Sequence, residues 1–117
     1  DVENLLVKLG FTDRLNQLCT GDTSFASAKT IDLEVWSEGE QNWLEVSSCS
    51  NFIDFQARRA NIRFKRTSDS KPEFVHTLNG SALATPRILV ALMEKYYDGE
   101  KIKIPECLHP YLRFESI

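Results

Sequence analysis

Three short stretches carry the side chains best suited to chemistry. The first is Leu78–Arg87, where Asn79-Gly80-Ser81 closes an apolar run and Arg87 opens a helix-like segment. Thr85 suits an N-cap and Pro86 the first helical position, where its missing N–H costs nothing. An arginine in a first helical turn opposes the helix dipole. Arg87 is therefore suited to serve something outside the helix: a phosphate, a carboxylate or a flat base. A solvated arginine on a helix end fits the same pattern. The second stretch is Glu45–Asn51, one carboxylate followed by three serines and an asparagine. Glu45 can hold a hard divalent cation, because magnesium takes one or two carboxylates and completes its shell with phosphate oxygens and water. Ser47, Ser48 and Ser50 offer hydroxyls to phosphates or, equally, to their own backbone in a turn. The third is Arg58–Arg66, with five basic residues within nine positions. It suits RNA phosphates, but solvent or carboxylates such as Asp54 and Glu73 are the commoner partners.

These residues need elements to position them. Ile31, Leu33 and Val35 alternate with Asp32, Glu34 and Trp36, which predicts a half-buried strand with the carboxylates turned outward. A polar turn over Glu38–Asn42 leads to a second strand from Trp43 to Ser48, so the pair reads as an antiparallel hairpin with a longer loop. Val2–Leu9 predicts a helix with Leu5, Leu6 and Leu9 on one face and Gly10 ending it. A strand is expected through Leu15, Gln17 and Cys19, before a Gly21-Asp22 turn. Asn51–Ala60 reads as a loop with a helical turn, and Glu73–Asn79 as a strand feeding the last helix. In that helix Ile88, Leu89, Leu92, Met93 and Tyr96 recur at helical spacing, and Gly99 supplies the stop. Strands followed by one substantial helix predict an α+β fold, an antiparallel sheet backed by helices.

Composition narrows the function classes. A chain of 117 residues with 42% hydrophobic and 26% charged residues is ordinary globular material and one domain at most. Its net charge of −3 gives no global attraction to nucleic acid, so any RNA contact must be local. No apolar run approaches the roughly 18 residues of a membrane helix, and no signal peptide opens the chain. Cys19, Cys49 and Cys107 are an odd number without CxxC spacing and read as reduced thiols of a cytoplasmic protein. His76 and His109 supply no second pair to complete a zinc site. The first residue, Asp1, is not methionine, which points to a cut or processed piece.

Four segments resemble those of one enzyme family. LNGSALATPR (Leu78–Arg87) looks like the third signature motif of class II aminoacyl-tRNA synthetases, specifically of the seryl-tRNA synthetases. GDTSFASAKTIDLEVW (Gly21–Trp36), WLEVSSCSNFIDFQARRANIRF (Trp43–Phe64) and IPECLHPYL (Ile104–Leu112) are similar to segments of the bacterial-type enzymes, in the same order. The resemblance implies that residues 1–117 form the C-terminal portion of the catalytic domain, a single incomplete domain built on part of the class II antiparallel sheet. It implies serine activation with ATP and transfer to tRNA(Ser). Glu45 and Ser48 would hold Mg2+ against the ATP phosphates, and Glu45, Val46, Ser47 and Ser48 would line the ATP site. Arg87 would lie against the adenine and the triphosphate, making Arg87 and Glu45 the catalytic pair. Asn79 and Ser81 would meet the serine substrate, whose hydroxyl must be hydrogen-bonded if smaller amino acids are to be rejected. The implied complete enzyme is a cytoplasmic homodimer that does not enter a membrane.

The chain departs from the family pattern in its lack of the first and second motifs, with the arginine that grips the α-phosphate. Ile31 also stands where a tyrosine is expected, and Thr85-Pro86 is an unusual lead into the arginine. The piece alone is therefore expected to be inactive. A truncated synthetase-like protein that binds a nucleotide or a partner without aminoacylation is the alternative.

Overall fold

Alternation of side chains is what makes Lys29–Ser37 a strand, and in a computed structural model describing residues 1–117 this run forms β2. A turn over residues 38–41 joins it to β3, Asn42–Asn51, completing the expected hairpin. The remaining elements are α1 (Val2–Lys8), β1 (Asp13–Gln17), α2 (Phe55–Ala60), β4 (Arg63–Phe64), β5 (Glu73–Phe74), β6 (Leu78–Gly80) and α3 (Thr85–Tyr96). A short 3-10 segment, Glu106–Tyr111, follows. Strands β1-β2-β3-β6 form one sheet in that order, and β4 pairs with β5 in a second. The fold is α+β, an antiparallel sheet with helices.

The chain divides into two compact units. Unit 1 comprises Asp1–Asn16, Leu33–Ser47 and Ala82–Ile117; unit 2 comprises Gln17–Asp32 and Ser48–Ser81. Strands β2 and β3 contribute residues to both.

Unit 1 is built around apolar side chains. Leu6, Val35 and Val46 are fully buried, with Leu9, Phe11, Leu33, Ile88 and Ala91 nearly so. Helix α1 ends as its glycine predicts. Gly10 has φ +79°, and the Gly10 and Phe11 amides donate to the carbonyls of Val7 and Leu6. A Cβ at Gly10 would also meet the Tyr96 hydroxyl, which donates to the Leu9 carbonyl at 2.7 Å. Leu5, expected inside with Leu6 and Leu9, is 40% exposed.

The start of α3 differs from the sequence expectation. Ala84, not Thr85, is the N-cap, so Thr85 and Pro86 occupy the first two helical positions and Arg87 the third. The cause is a strand-like hydrogen bond: the Ala84 amide donates to the Val46 carbonyl at 2.6 Å, which holds Ala84 extended. Of the expected apolar face, Ile88 is buried, but Leu89 and Met93 are each half exposed, and Ala91 takes their place inside. The helix ends at Tyr96, and Gly99 turns the chain three residues later at φ +104°.

Unit 2 contains one buried apolar side chain, Ala57, beside buried Thr30 and Asp32. Strand β1 stops at Gln17, leaving Cys19 to accept the Asp22 and Thr23 amides in the expected turn. The single strand expected over Glu73–Asn79 is two. Residues of β5 pair with β4 (Arg63↔Phe74, Phe64↔Glu73), whereas β6 pairs with β3 (Cys49↔Gly80, Ser50↔Asn79, Asn51↔Leu78). Between them the backbone changes partner: Val75 donates to Ile62, and Thr77 exchanges hydrogen bonds with Phe52 and Ile53.

Candidate functional site

In unit 1, the residues singled out in sequence meet where α3 begins. Arg87 Nη1 donates to the Glu45 backbone carbonyl at 2.7 Å and lies 3.5 Å from Glu45 Oε1. With the Ala84–Val46 bond, the first turn of α3 is tied to two consecutive residues of β3. Both members of the ion pair are about half exposed, 51% for Arg87 and 43% for Glu45. A guanidinium has five donors, and only one nitrogen is engaged here, so its remaining edge and its flat face stay open to a ligand. Exposure also limits what the pair adds to stability, about 0–1 kcal/mol. Its value is positional: the strand carbonyl fixes where the charge points.

The neighbours on β3 are placed differently. Val46 is fully buried and its carbonyl is taken by Ala84, while Ser47 is 1% exposed. Both residues belong to the interior and are closed to solvent. Among candidate cation ligands, Glu45 is a lone carboxylate, and nowhere do three or more His, Cys, Asp or Glu gather to hold a metal. A single carboxylate fits magnesium, which takes one or two carboxylates if phosphates and water supply the rest. The chain contains no disulfide.

In unit 2, Ser48 is half buried on β3, and Asn79 is exposed on β6 opposite Ser50. Ser81 lies just past the end of β6 and is exposed. Asn79 lines a cavity of about 280 Å³ with Ile31, Cys49, Ser50, Leu78 and Gly80. Gly80 approaches its neighbour closely: a Cβ there would lie 3.0 Å from Cys49 Sγ, which would have to shift by a few tenths of an ångström. A hydroxyl chain supports this strand end: Thr30 Oγ1 lies 2.8 Å from Ser50 Oγ and 3.0 Å from Ser27 Oγ.

One residue was missed in sequence. Alternation predicts Asp32 facing solvent, yet it is only 7% exposed, and its Oδ1 has no hydrogen-bond partner. Buried polar atoms are seldom left unpaired. The one available signal is its position between Ile31 and Leu33 in mid-strand. The basic cluster behaves as its neighbours suggest in one respect: Arg58 pairs with Asp54 at 2.7 Å and Arg66 with Glu73 at 3.1 Å. The Arg58 guanidinium, by hydrogen bond and charge, holds the Asp54 carboxyl below its usual range.

A model of the tRNA synthetase class II core domain (G, H, P, S and T) matches residues 1–96. The chain belongs to this family. Among class II relatives it is similar to the serine–tRNA ligase of Thermomicrobium roseum, 58% identical over 113 residues, covering 96% of this chain and 25% of that protein. The serine–tRNA ligase of Dehalococcoides mccartyi (strain CBDB1) is 53% identical over 118 residues, covering all of this chain and 29% of that protein. Two solved synthetases share the fold. Seryl-tRNA synthetase from Pyrococcus horikoshii complexed with ATP superposes with TM-score 0.92 at 42% identity, covering 99% of this chain and 26% of that one. The cytoplasmic serine–tRNA ligase of Naegleria fowleri in complex with AMP gives 0.87 at 34% identity, covering 99% and 28%. The chain thus spans a quarter to three-tenths of the length of these class II proteins. No helix is long and apolar enough to cross a membrane.

Proposed function

We propose that the protein carrying this chain activates serine with ATP and transfers it to tRNA(Ser), and that residues 1–117 are the C-terminal portion of its catalytic domain. In the first step the serine carboxylate attacks the α-phosphate, forming seryl-adenylate and releasing pyrophosphate. In the second, a hydroxyl at the 3′ end of the tRNA takes the seryl group and AMP leaves. Neither step calls for a catalytic triad, since positioning and charge neutralisation supply most of the acceleration.

The roles follow from what each side chain can reach. Arg87, tethered by one nitrogen to the Glu45 carbonyl, lays its open face against the adenine and its remaining donors toward the triphosphate. A guanidinium on an aromatic face contributes about 0.5–2 kcal/mol. Glu45 and Ser48 would hold Mg2+, and the buried Val46 and Ser47 lie between them on the strand behind the nucleotide. Bound there, Mg2+ would neutralise phosphate charge and orient the leaving group. Asn79 and Ser81 hydrogen-bond the serine substrate, with small Gly80 keeping the pocket tight. The complete enzyme acts as a cytoplasmic homodimer.

The observation that carries this proposal is the Arg87–Glu45 tether, in a chain so similar to synthetases solved with ATP and AMP. Serine-dependent ATP–pyrophosphate exchange by the complete protein tests it. Arg87→Ala and Glu45→Ala should each lower the exchange rate by about 10²–10³, the usual cost of one preorganised charge-stabilising group. Exchange unchanged by both substitutions would remove these residues from the site. A wild-type protein whose melting point rises with ATP, yet which shows no exchange, would instead be a nucleotide-binding relative without ligase activity.

A further inference from the structure

The basic residues between Arg58 and Arg66 all lie in unit 2, and all are exposed. Their guanidinium groups are nonetheless held in place. Arg58 and Arg63 lie over the Phe74 ring, 4.7 and 4.3 Å from its centroid. Arg59 lies 3.5 Å over Phe55, and Arg66 5.3 Å from Phe64. Hydrogen bonds fix the same groups: Arg58 to Asp54, Arg66 to Glu73, Arg59 to the Phe55 carbonyl and Arg63 to Asn61 Oδ1. Only Arg58 and Arg66 face a carboxylate. Arg59 and Arg63 are braced by neutral acceptors, so their charge is uncompensated.

The local balance is opposite to that of the whole. Residues 54–74 contain six Lys and Arg against three Asp and Glu, within a chain of net charge −3. A merely solvated charge run has mobile side chains. Here aromatic rings and hydrogen bonds hold the guanidiniums at the surface, so less freedom is lost when a ligand binds. Planar forks suit phosphate oxygens, and a guanidinium with one face on a ring leaves the other to stack beneath a base. Charge alone would serve an acidic protein segment; flat, ring-backed arginines favour nucleic acid.

We propose that this arginine–phenylalanine face binds the single-stranded, amino-acid-accepting end of the RNA substrate, with Arg59 and Arg63 as the residues that meet its phosphates. The proposal rests on the ligase function above. Distance allows it: Asn79 follows Phe74 by five residues, so their Cα atoms are at most about 18 Å apart, a span that a few nucleotides cover.

The test uses the complete protein with Arg59→Gln and Arg63→Gln combined, and measures tRNA affinity against salt beside RNA-free ATP–pyrophosphate exchange. Expected are exchange within twofold of wild type and tRNA binding weakened about tenfold. The salt slope should fall by about 0.7 for each single-strand phosphate that the variant no longer neutralises. A tRNA trimmed of its unpaired 3′ nucleotides should bind variant and wild type alike. The lysine pair, Arg59→Lys with Arg63→Lys, should keep most of the salt slope and lose part of the affinity. Unchanged tRNA affinity with intact exchange would overturn the surface and leave the ligase function standing. So would a defect that persists with trimmed RNA. Loss of exchange and tRNA binding together in both pairs would make the arginines structural and overturn it as well. Absence of exchange in the wild type would instead remove the ligase function, and this RNA substrate with it.

Discussion

Unit 1 and unit 2 are held together by different physics. Eight of the nine buried apolar side chains lie in unit 1, and unit 2 contributes only Ala57. Unit 2 relies on directional contacts instead: the Ser27–Thr30–Ser50 hydroxyl chain, the edge-on Phe25–Phe55 pair and the arginines over phenylalanine rings. Apolar burial is worth about 25 cal/mol per Å² and is indifferent to direction. A typical hydrogen bond adds about 0.5–1.5 kcal/mol and only in the right geometry. Unit 1 is therefore suited to be the rigid base from which Arg87 is aimed. Unit 2 depends on contacts that hold only in the right geometry.

The largest effect should come from emptying the unit 1 core. Leu6 is fully buried, and Leu6→Ala should cost about 3 kcal/mol through lost transfer energy and the cavity left behind. Urea unfolding would measure it, and amide exchange should report the loss in α1, which carries Leu6. A cost below about 1 kcal/mol would mean that the core collapses freely and that the contrast between the units is overstated.

A middle-sized effect should come from unit 2. Thr30 is 4% exposed and its hydroxyl bridges Ser27 and Ser50. Thr30→Val keeps the shape and removes the bridge, at about 1–2 kcal/mol. Amide exchange should accelerate at Ser50 and Asn79, which pair across β3 and β6, and stay unchanged in α3. Equal acceleration in α3 would show one cooperative unit in place of two.

The hairpin β2–β3 and helix α3 were legible because local periodicity writes them. In unit 1 Leu6, Leu9, Leu33, Val35 and Ile88 bury as their pattern predicts, whereas Leu5, Leu89 and Met93 stay exposed. The split of Glu73–Asn79 into β5 and β6 was not legible, because strand partners are chosen over long range. Nor was the burial of Asp32, where alternation fails in a strand covered at that point. The N-cap shifted from Thr85 to Ala84 because a hydrogen bond from β3, 38 residues away in sequence, overrides local capping preference. The same distance problem hides the site. Arg87 and Glu45 lie 42 residues apart, and nothing in their spacing announces a contact; only the motif resemblance set them together. The pairing of Asp54 with Arg58 was legible because it spans one helical turn. The rings beneath the arginines were not, since aromatic residues in a polar stretch also read as sheet packing.

The smallest expected effect separates the units by mechanism. Asp98 in unit 1 and Asp54 in unit 2 both have carboxyls held below the usual range near 3.9. For Asp98 the main cause is hydrogen bonding from the Lys101 and Glu100 amides, and for Asp54 it is the Arg58 guanidinium. A depressed folded-state value means that each contribution to stability is present above about pH 4 and is lost as pH falls through the folded-state value. Both contributions should therefore fade in acid, but salt should tell them apart. At about 1 M salt the Debye length shrinks to about 3 Å, so the exposed Asp54–Arg58 attraction weakens while amide hydrogen bonds to Asp98 persist. In an NMR titration the Asp54 carboxyl should move upward with salt and the Asp98 carboxyl should stay. If both move equally, Asp98 depends on Lys103, 3.4 Å away, more than on its amides, and the two units answer acid by the same means.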